Sequence, residues 1–193
     1  MILSFDKVIE KTKIPLKGII HAGGATGEEI PLYKQYTNNI HIFEPQKDCF
    51  DQIPNDVKKY NCALGETQKV CNLYLANNKH CASLLKPKLH LEEHKEVIFD
   101  GSITVPVYTL DFFNITDCNF LNMDVQGYEL NILKGAEKTL EHIDAIYTEV
   151  NTVEIYENNS MLNEMDMWLA EKNYKRIWLE FTNHRWGDAL YVR

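Results

Sequence analysis

The sequence lacks a long apolar run and a paired cysteine pattern. No apolar run approaches the roughly 18 residues that a membrane-spanning helix needs, and no basic stretch followed by an apolar core opens the chain. The 5 cysteines are an odd number without any CxxC spacing, which argues against a disulfide framework and a zinc cluster. These absences predict a cytoplasmic protein with reduced cysteines, no membrane span and no zinc cluster, and no residue is predicted as a metal ligand.

An excess of positive charge is also missing. The formal charge is −8 at pH 7, with 28 acidic and 20 basic residues, so the field of the molecule repels polyanions. Basic residues cluster in one central segment, as Lys79, Lys86, Lys88 and Lys95. Glutamates at positions 92, 93 and 96 nearly cancel that charge. Nucleic acid is therefore not the expected partner.

The length and composition fit one domain. The chain has 193 residues, of which 45% are hydrophobic and 25% charged, as in an ordinary globular protein. It contains no internal repeat and no low-complexity tract. We expect a single domain over residues 1–193.

A glycine-rich turn near the N-terminus is the most informative stretch. An apolar strand predicted over 17–22 leads into His21-Ala-Gly-Gly-Ala-Thr-Gly27, and a helix is predicted over 28–36. Glycines in such a turn allow positive φ and let a ligand approach main-chain N–H groups. A second strand predicted over 39–44 ends on Glu44, where a carboxylate would bind ribose hydroxyls. Strand, turn and acid together indicate a nucleotide-like ligand.

The rest of the chain alternates predicted strands and helices. Further strands are expected at 57–62, 70–75, 103–109, 119–124, 144–150, 174–181 and 189–192, and further helices at 6–13, 45–53, 127–135 and 161–172. The strands at 70–75 and 103–109 are candidates for pairing, and residues 76–101 show so little periodicity that we expect a long loop. This alternation implies a mostly parallel sheet with helices on both faces, in which ligands bind beyond the carboxyl ends of the strands.

The glycine spacing separates two classes of ligand. A glycine turn followed by an acidic strand end suits both NAD and S-adenosylmethionine, but glycines at 23, 24 and 27 leave no G-x-G-x-x-G. The phosphate-binding G-x-x-x-x-G-K-[ST] is absent too, because Glu28 follows Gly27. The spacing favours S-adenosylmethionine.

Five separated blocks carry the strongest signal in the sequence. They are Ile20–Glu29, Phe43–Pro45, Asn61–Gly65, Thr109–Asp111 with Leu121–Glu129, and Trp186–Tyr191. In this order they resemble the FkbM-type class I methyltransferases. The resemblance implies a Rossmann-like α/β fold, with a seven-stranded mostly parallel sheet, helices on both faces and an antiparallel last strand. It also implies methyl transfer from S-adenosylmethionine to a hydroxyl oxygen of a sugar, a glycan or another small molecule.

The resemblance further implies which residues bind the cofactor. The expected contacts are His21, Gly23, Gly24, Ala25, Thr26, Gly27, Glu44, Pro45, Gln46, Asn61, Ala63, Leu64, Ser83 and Asp124. Within this set, Gly23 to Gly27 would line the methionine side and Glu44 would bind the ribose. Asn61, Ala63 and Leu64 would border the adenine.

Three residues are candidates for the base that takes the proton of the acceptor hydroxyl. They are Asp124, Glu149 and His184, of which Asp124 is preferred because it would lie near the sulfonium and the acceptor. Asp124 could instead cap the helix that starts near Gly127. His21 could equally be a core histidine bonded to main chain.

Some positions depart from the family pattern or carry a competing motif. Gly24 and Ala25 replace the usual residues of the glycine block, and Gln126 is neutral where an acid is common. A charged role at position 126 therefore does not carry over. The segment from His90 to His94 fits the H-x-x-E-H pattern of zinc peptidases, but its highly charged surroundings favour a solvated cluster.

Other functions remain open from the sequence. One is an RNA or cap-directed methyltransferase, which the negative charge disfavours. Another is a cofactor-binding module that no longer transfers methyl groups. A dehydrogenase would require NADH to bind more tightly than S-adenosylmethionine.

Overall fold

The computed structural model describes residues 2–93 and 95–193 and contains two β-sheets. In chain order the strands are β1 (Ile19–Ala22), β2 (Ile40–Phe43), β3 (Lys58–Tyr60), β4 (Ala63–Leu64), β5 (Lys69–Ala76), β6 (Phe99–Tyr108), β7 (Phe120–Met123), β8 (Ala145–Asn151), β9 (Lys175–Phe181) and β10 (Trp186–Val192). The central sheet has seven strands in the order β3-β2-β1-β7-β8-β10-β9. The second sheet has three, in the order β4-β6-β5.

The strand directions of the central sheet confirm the expected fold. β1 pairs in parallel with β2 and β7, β2 pairs in parallel with β3, and β7 pairs in parallel with β8. The last strand, β10, runs antiparallel to both of its neighbours, β8 and β9. The sheet is therefore mostly parallel with an antiparallel last strand, as the resemblance implied.

Helices cover both faces of the central sheet. In chain order they are α1 (Phe5–Thr12), α2 (Ile30–Tyr33), α3 (Lys47–Phe50), α4 (His90–Glu93), α5 (Glu129–Lys134) and α6 (Leu162–Glu171). Ile20 belongs to the core cluster that contains Ile132 of α5 and Met165 of α6, whereas Ile19 belongs to the cluster that contains Tyr33 of α2. Successive strand residues point to opposite faces, so β1 is buried on both sides. No helix of the described residues is long and apolar enough to cross a membrane.

The predicted third strand over 57–62 is reduced to β3, and a separate short strand, β4, follows it in the second sheet. β3 extends the central sheet, and β4 starts the second sheet by pairing in parallel with β6. Asn61 lies at the break, where its side-chain amide donates to the carbonyls of Glu44 and Pro45 at 2.9 and 3.1 Å. These bonds fix the chain at the end of β2 and turn it out of the central sheet.

The predicted pairing of 70–75 with 103–109 is confirmed, while the long loop between them is shorter than expected. β5 and β6 form an antiparallel pair. The segment from 76 to 101 contains the end of β5, a 3-10 turn at Lys79–Cys81, the short helix α4 and the start of β6. Its hydrophobic periodicity is weak because these elements are short or exposed on one side. The second histidine of the zinc-like motif, His94, lies outside the described residues.

Several boundaries differ from their predicted positions. The helix predicted over 28–36 is reduced to α2, with Pro31 in its first turn, and the helix predicted over 45–53 is reduced to α3. β10 begins at Trp186 rather than at 189, because pairing with β8 continues to Asn151. Tertiary pairing extends a strand where local sequence carries no alternation.

Candidate active site

The glycine turn packs tightly against the ends of β2 and β7. The N–H of Gly23 donates to the Phe43 carbonyl at 2.9 Å, and the φ of Gly23 is +81°. A methyl group on Gly23 would lie 1.9 Å from the carbonyl oxygen of Asp124. Glycine is therefore required there both for its backbone conformation and for space.

The Glu44 carboxylate follows β2 and is held by main-chain donors. Its Oε2 accepts the N–H of Ala25 at 2.9 Å, and its Oε1 accepts the N–H of Gln46 at 2.7 Å. The side chain is only 4% exposed. Burial raises the pKa of Glu44 to about 7, although the two N–H donors oppose that shift. Each oxygen keeps further acceptor capacity for a hydroxyl group.

A cleft, called the first cavity below, opens beside this carboxylate. Its wall includes main chain and side chains from the glycine turn, the ends of β2 and β7, the second sheet and the turn after β5. Apolar side chains that line it include Phe43, Leu64, Leu73, Ala82 and Leu84. A polar end at Glu44 and an apolar wall opposite suit a ligand with a ribose and a flat ring.

The first cavity brings together more than half of the predicted cofactor contacts. Those that line it are Gly23, Ala25, Glu44, Pro45, Gln46, Ala63, Leu64 and Asp124. The other predicted contacts are His21, Gly24, Thr26, Gly27, Asn61 and Ser83, none of which is among the residues that line it.

His21 is one of the predicted contacts that do not line the first cavity. It is 3% exposed, and its Nδ1 lies 3.3 Å from the Tyr33 hydroxyl, which accepts a hydrogen bond from Asn122 at 2.7 Å. Burial is the largest cause that lowers the pKa of His21. The interpretation as a core histidine fits better than direct contact with the cofactor, although its bond is to a side chain rather than to main chain.

The glycine block has similar supporting residues. A methyl group on Gly24 would lie 2.2 Å from Ile42 Cγ2, and one on Gly27 would lie 2.6 Å from Ile30 Cδ1. The Thr26 hydroxyl donates to Glu28 at 2.6 Å. These positions shape the turn instead of facing the first cavity.

Ser83 forms hydrogen bonds that connect two neighbouring loops. Its hydroxyl donates to the main-chain carbonyl of Gln126 at 2.8 Å and accepts the N–H of Leu85 at 3.0 Å. It thereby ties the turn after β5 to the loop that follows β7.

Asp124 and Glu149, the two predicted acids at strand ends, meet through Gln126. The amide nitrogen of Gln126 donates to Asp124 Oδ1 at 2.8 Å and to Glu149 Oε2 at 3.1 Å. Its amide oxygen accepts the Tyr156 hydroxyl at 2.7 Å, which fixes the orientation of the amide. Gln126 holds this position with a φ of +58°, a conformation uncommon outside glycine.

Burial and like charge act together on the acids of this region. The pKa of Glu149 is raised well above its ordinary value, first by burial and then by Asp124 and Glu129. Burial also raises the pKa of Glu129. Burial and the neighbouring acids therefore favour the protonated form of Glu149.

Glu129, the first residue of α5, stabilises the loop between β7 and that helix. Its Oε1 accepts the N–H of Val125 at 3.2 Å and the N–H of Gly127 at 3.1 Å. Among the described residues, no side chain caps α5, and Asp124 lines the first cavity. The alternative in which Asp124 caps this helix is therefore not supported.

A second cavity, of about 270 Å³, adjoins the first. Asp124 and His80 line both cavities. Glu149, Gln126 and Tyr156 line the second. His184, the remaining candidate base, lies exposed in the turn between β9 and β10 and lines neither cavity. The structure brings Asp124 and Glu149 together and leaves His184 apart.

A possible metal-ligand cluster lies toward the amino ends of the strands β2 and β7. His41, Asp117 and Cys118 offer ligand atoms within 4.8 Å of one another. Lys58 occupies the same place, with its Nζ 3.1 Å from His41 Nε2 and 3.6 Å from Asp117. A lysine ammonium disfavours a cation there.

Sequence reasoning missed Gln126, Tyr156 and His80 as parts of the site. Gln126 was noted as a departure within a motif, but the sequence carries no sign of its bridge between two carboxylates. Tyr156 and His80 come from loops whose path depends on the second sheet. Periodicity does not reveal such placements.

Comparisons with known sequences point to one family. The family model described as the methyltransferase FkbM domain matches residues 21–176. The 2-O-methyltransferase NoeI of Sinorhizobium fredii (strain NBRC 101917 / NGR234) is 38% identical over 79 residues. That alignment covers 39% of this chain and 32% of NoeI, so the similarity extends over about a third of that protein.

Comparisons with solved structures show the fold. The methyltransferase FkbM from Methylobacillus flagellatus KT superposes with a TM-score of 0.61 at 17% identity, over 92% of this chain and 43% of that chain. Magnesium protoporphyrin IX methyltransferase (ChlM) from Synechocystis PCC 6803, solved with bound SAM, has a TM-score of 0.55 at 8% identity. That match covers 97% of this chain and 75% of ChlM. The chain thus spans less than half of the FkbM structure that it resembles.

Proposed function

The chain belongs to the methyltransferase FkbM family, and from this premise we propose that it is an O-methyltransferase that acts on a hydroxyl of a sugar, a glycan or another small molecule. The methyl donor is S-adenosylmethionine. The similarity to a 2-O-methyltransferase supports oxygen as the receiving atom. Five free cysteines among the described residues support a reducing, cytoplasmic location as part of the same proposal.

The residues of the first cavity fit this donor. The tight glycine turn leaves main-chain groups close to the cavity, and the apolar wall from Leu64 and Leu73 suits adenine. Glu44 is a buried carboxylate that accepts hydrogen bonds from two main-chain N–H groups. When bound, S-adenosylmethionine supplies a methyl group activated on a sulfonium. Glu44 would bind the ribose, and Ala63 and Leu64 would border the ring.

The observation that carries the proposal is the position of Glu44. A buried carboxylate is costly unless it is hydrogen-bonded. This one is held by main-chain N–H groups and, within the described part of the chain, pairs with no lysine or arginine, so it keeps acceptor capacity beside a cavity. In α/β sheets an acid at this strand end binds ribose hydroxyls.

The remaining work of the protein is to position the acceptor and to receive its proton. Positioning can contribute effective molarities of about 10⁵ to 10⁸ M, whereas a general base adds about 10² to 10⁴-fold. Asp124 lines both cavities, so one of its carboxylate oxygens can take the hydroxyl proton. Gln126 orients that carboxylate through the bond to Oδ1.

The test is methyl transfer followed by mass spectrometry. The protein is incubated with S-adenosylmethionine carrying a deuterated methyl group, and with neutral sugars, oligosaccharides and RNA oligonucleotides. We expect the label on a hydroxylated small molecule or glycan. Asp124→Asn should lower kcat by about 10² to 10⁴-fold and change the Kd of S-adenosylhomocysteine far less than it changes kcat.

Glu171→Gln, an exposed change at the end of α6, is the control and should keep wild-type turnover. Transfer to RNA alone would replace the proposal with an RNA methyltransferase. Binding of the cofactor product without transfer to any acceptor would indicate a silent binding module.

A further inference from the structure

An acceptor must approach the cofactor from a space that adjoins the first cavity, and the second cavity is such a space. Two residues, Asp124 and His80, line both cavities, so a ligand in the second touches the same carboxylate that borders the first. The volume of about 270 Å³ is near the lower end of the roughly 300 to 1,000 Å³ of typical ligand pockets. This space suits a single small ring more than a long chain.

The wall of the second cavity is acidic and carries no fixed positive charge. Carboxyl groups of Asp124, Glu149, Asp188 and Glu96 line it. Among the described residues of this wall there is no lysine or arginine. His80 is one of its two histidines, and its Nε2 lies 3.6 Å from Glu28, so its charge is compensated when it is protonated.

The wall also has groups that accept and donate hydrogen bonds around aromatic surface. Trp186 and Tyr156 both line it. The Gln126 amide nitrogen is shared by two carboxylates, which leaves acceptor oxygens of Asp124 and Glu149 along the same side. Hydroxyl groups donate well to such oxygens.

Resting on the function proposed above, we propose that the second cavity is the acceptor pocket and that it takes one uncharged hydroxylated ring while it excludes acceptors bearing phosphate or carboxylate. An anionic group there would face the carboxylates of Asp124 and Glu96 in a partly buried site, where like charges repel more strongly than in water. It would also lose its hydration without gaining an arginine or lysine partner. An uncharged ring avoids both costs.

Asp188 is a buried acid of this wall, and its hydrogen bonds hold it within the fold. Its carboxylate accepts the Tyr147 hydroxyl at 2.5 Å and the N–H of Ile2 at 2.6 Å, and it is 5% exposed. Glu96 is exposed and can be changed without disturbing the core. Glu96 is therefore the position at which the charge selectivity can be altered.

The experiment is a saturation-transfer NMR titration of the full chain with saturating S-adenosylhomocysteine at pH 8, above the ordinary pKa of histidine. The probes are matched triplets built on glucose, galactose and mannose: the methyl pyranoside, the 6-phosphate and the uronate. We expect a saturable signal from the neutral member of at least one triplet, with its charged partners at least tenfold weaker. Glu96→Gln should narrow that gap, whereas Glu171→Gln should leave it unchanged.

The outcomes separate this proposal from the one on which it rests. Equal or tighter binding of the phosphate or uronate members would overturn the charge selectivity. Absence of saturable binding by every neutral pyranoside, while S-adenosylhomocysteine binds normally, would overturn the assignment of the pocket and leave the cofactor site standing. Failure of S-adenosylhomocysteine itself to bind would overturn both.

Discussion

At the residue scale, Glu44 is placed between two opposing effects. Burial favours its protonated form, and two main-chain N–H groups favour the carboxylate. The balance raises its pKa to about 7, from an ordinary value of 4.5. The group therefore changes protonation within the physiological range. Ribose hydroxyls would add further donors and favour the ionised form.

This balance predicts a pH-dependent affinity for S-adenosylhomocysteine. Because the carboxylate accepts hydroxyl donors better than the protonated acid, affinity should rise as pH increases to about 7 and level off above that value. Below that pH the Kd should weaken by up to about tenfold per pH unit. The measurement is calorimetry from pH 5.5 to 8.5. Glu44→Gln should flatten the profile, and a wild-type profile that is already flat would contradict the assignment.

The unliganded protein should respond to pH in the opposite direction. A carboxyl group whose folded-state pKa is raised binds its proton more tightly in the folded state, so its stabilising contribution is present at low pH. That contribution declines as pH rises from about 4.5 to about 7. Thermal melts with and without S-adenosylhomocysteine separate the two effects of Glu44.

Gln126 is the second residue on which the site depends. It donates to both Asp124 and Glu149 and accepts from Tyr156. A neutral amide keeps two carboxyl groups close without adding a third charge. In a family member with an acid at this position, that acid could donate to the neighbouring carboxyl groups only when it is protonated.

Gln126→Glu should therefore destabilise the protein more at pH 8 than at pH 5. The new carboxylate would face two acids when ionised but could still donate a hydrogen bond when protonated. We expect a cost of about 1 to 3 kcal/mol at pH 8, measured by urea unfolding at both values. Gln68→Glu, an exposed position, should show no such pH dependence. A cost that is equal at both pH values would argue against the role of Gln126 as a bridge.

At the element scale, the turn after β1 sets the geometry of the first cavity. Gly23 has a φ of +81° and packs on the Asp124 carbonyl. Ala25 adopts a φ of +41° although it is not glycine, and its N–H is the donor to Glu44. The strained residue Ala25 thus holds the Glu44 carboxylate, which we propose binds the ribose.

Gly23→Ala tests this packing against a matched glycine. Gly101 has a φ of +89° with open space around it, so Gly101→Ala should cost only the backbone term of about 1 to 2 kcal/mol. Gly23→Ala should cost more than that, because the methyl group also collides with Asp124 main chain. Urea unfolding gives both values. Equal losses would show that the turn is not tightly packed.

The elements also show how far the sequence predicts the site. Apolar runs that end on polar residues located Glu44 and Asp124 at strand ends, because that pattern follows from burial of a parallel strand. The break at Asn61 was not predictable, since it depends on carbonyls 16 and 17 residues earlier in the chain. Gln126 and Tyr156 are joined across 30 positions, and no local period reports such a contact.

At the scale of the whole molecule, charge and topology point in the same direction. A formal charge of −8 disfavours a polyanionic partner, and the second cavity has an acidic wall. The parallel pairing of β1 with β2 and β7 places the glycine turn, Glu44 and Asp124 together beyond the carboxyl ends of these strands. The possible metal-ligand cluster at His41 lies toward the amino ends of the strands, away from both cavities.

The most direct test of the cofactor site is calorimetric titration of the wild-type protein, Glu44→Gln and Glu171→Gln with S-adenosylhomocysteine and with NADH at pH 8. We predict one-to-one binding of S-adenosylhomocysteine, weakened about tenfold or more in Glu44→Gln because a charge-assisted hydrogen bond is lost. Glu171→Gln should match the wild type, with thermal melts confirming that each variant is folded. NADH binding tighter than S-adenosylhomocysteine, or an unchanged affinity in Glu44→Gln, would contradict the assignment of this cavity.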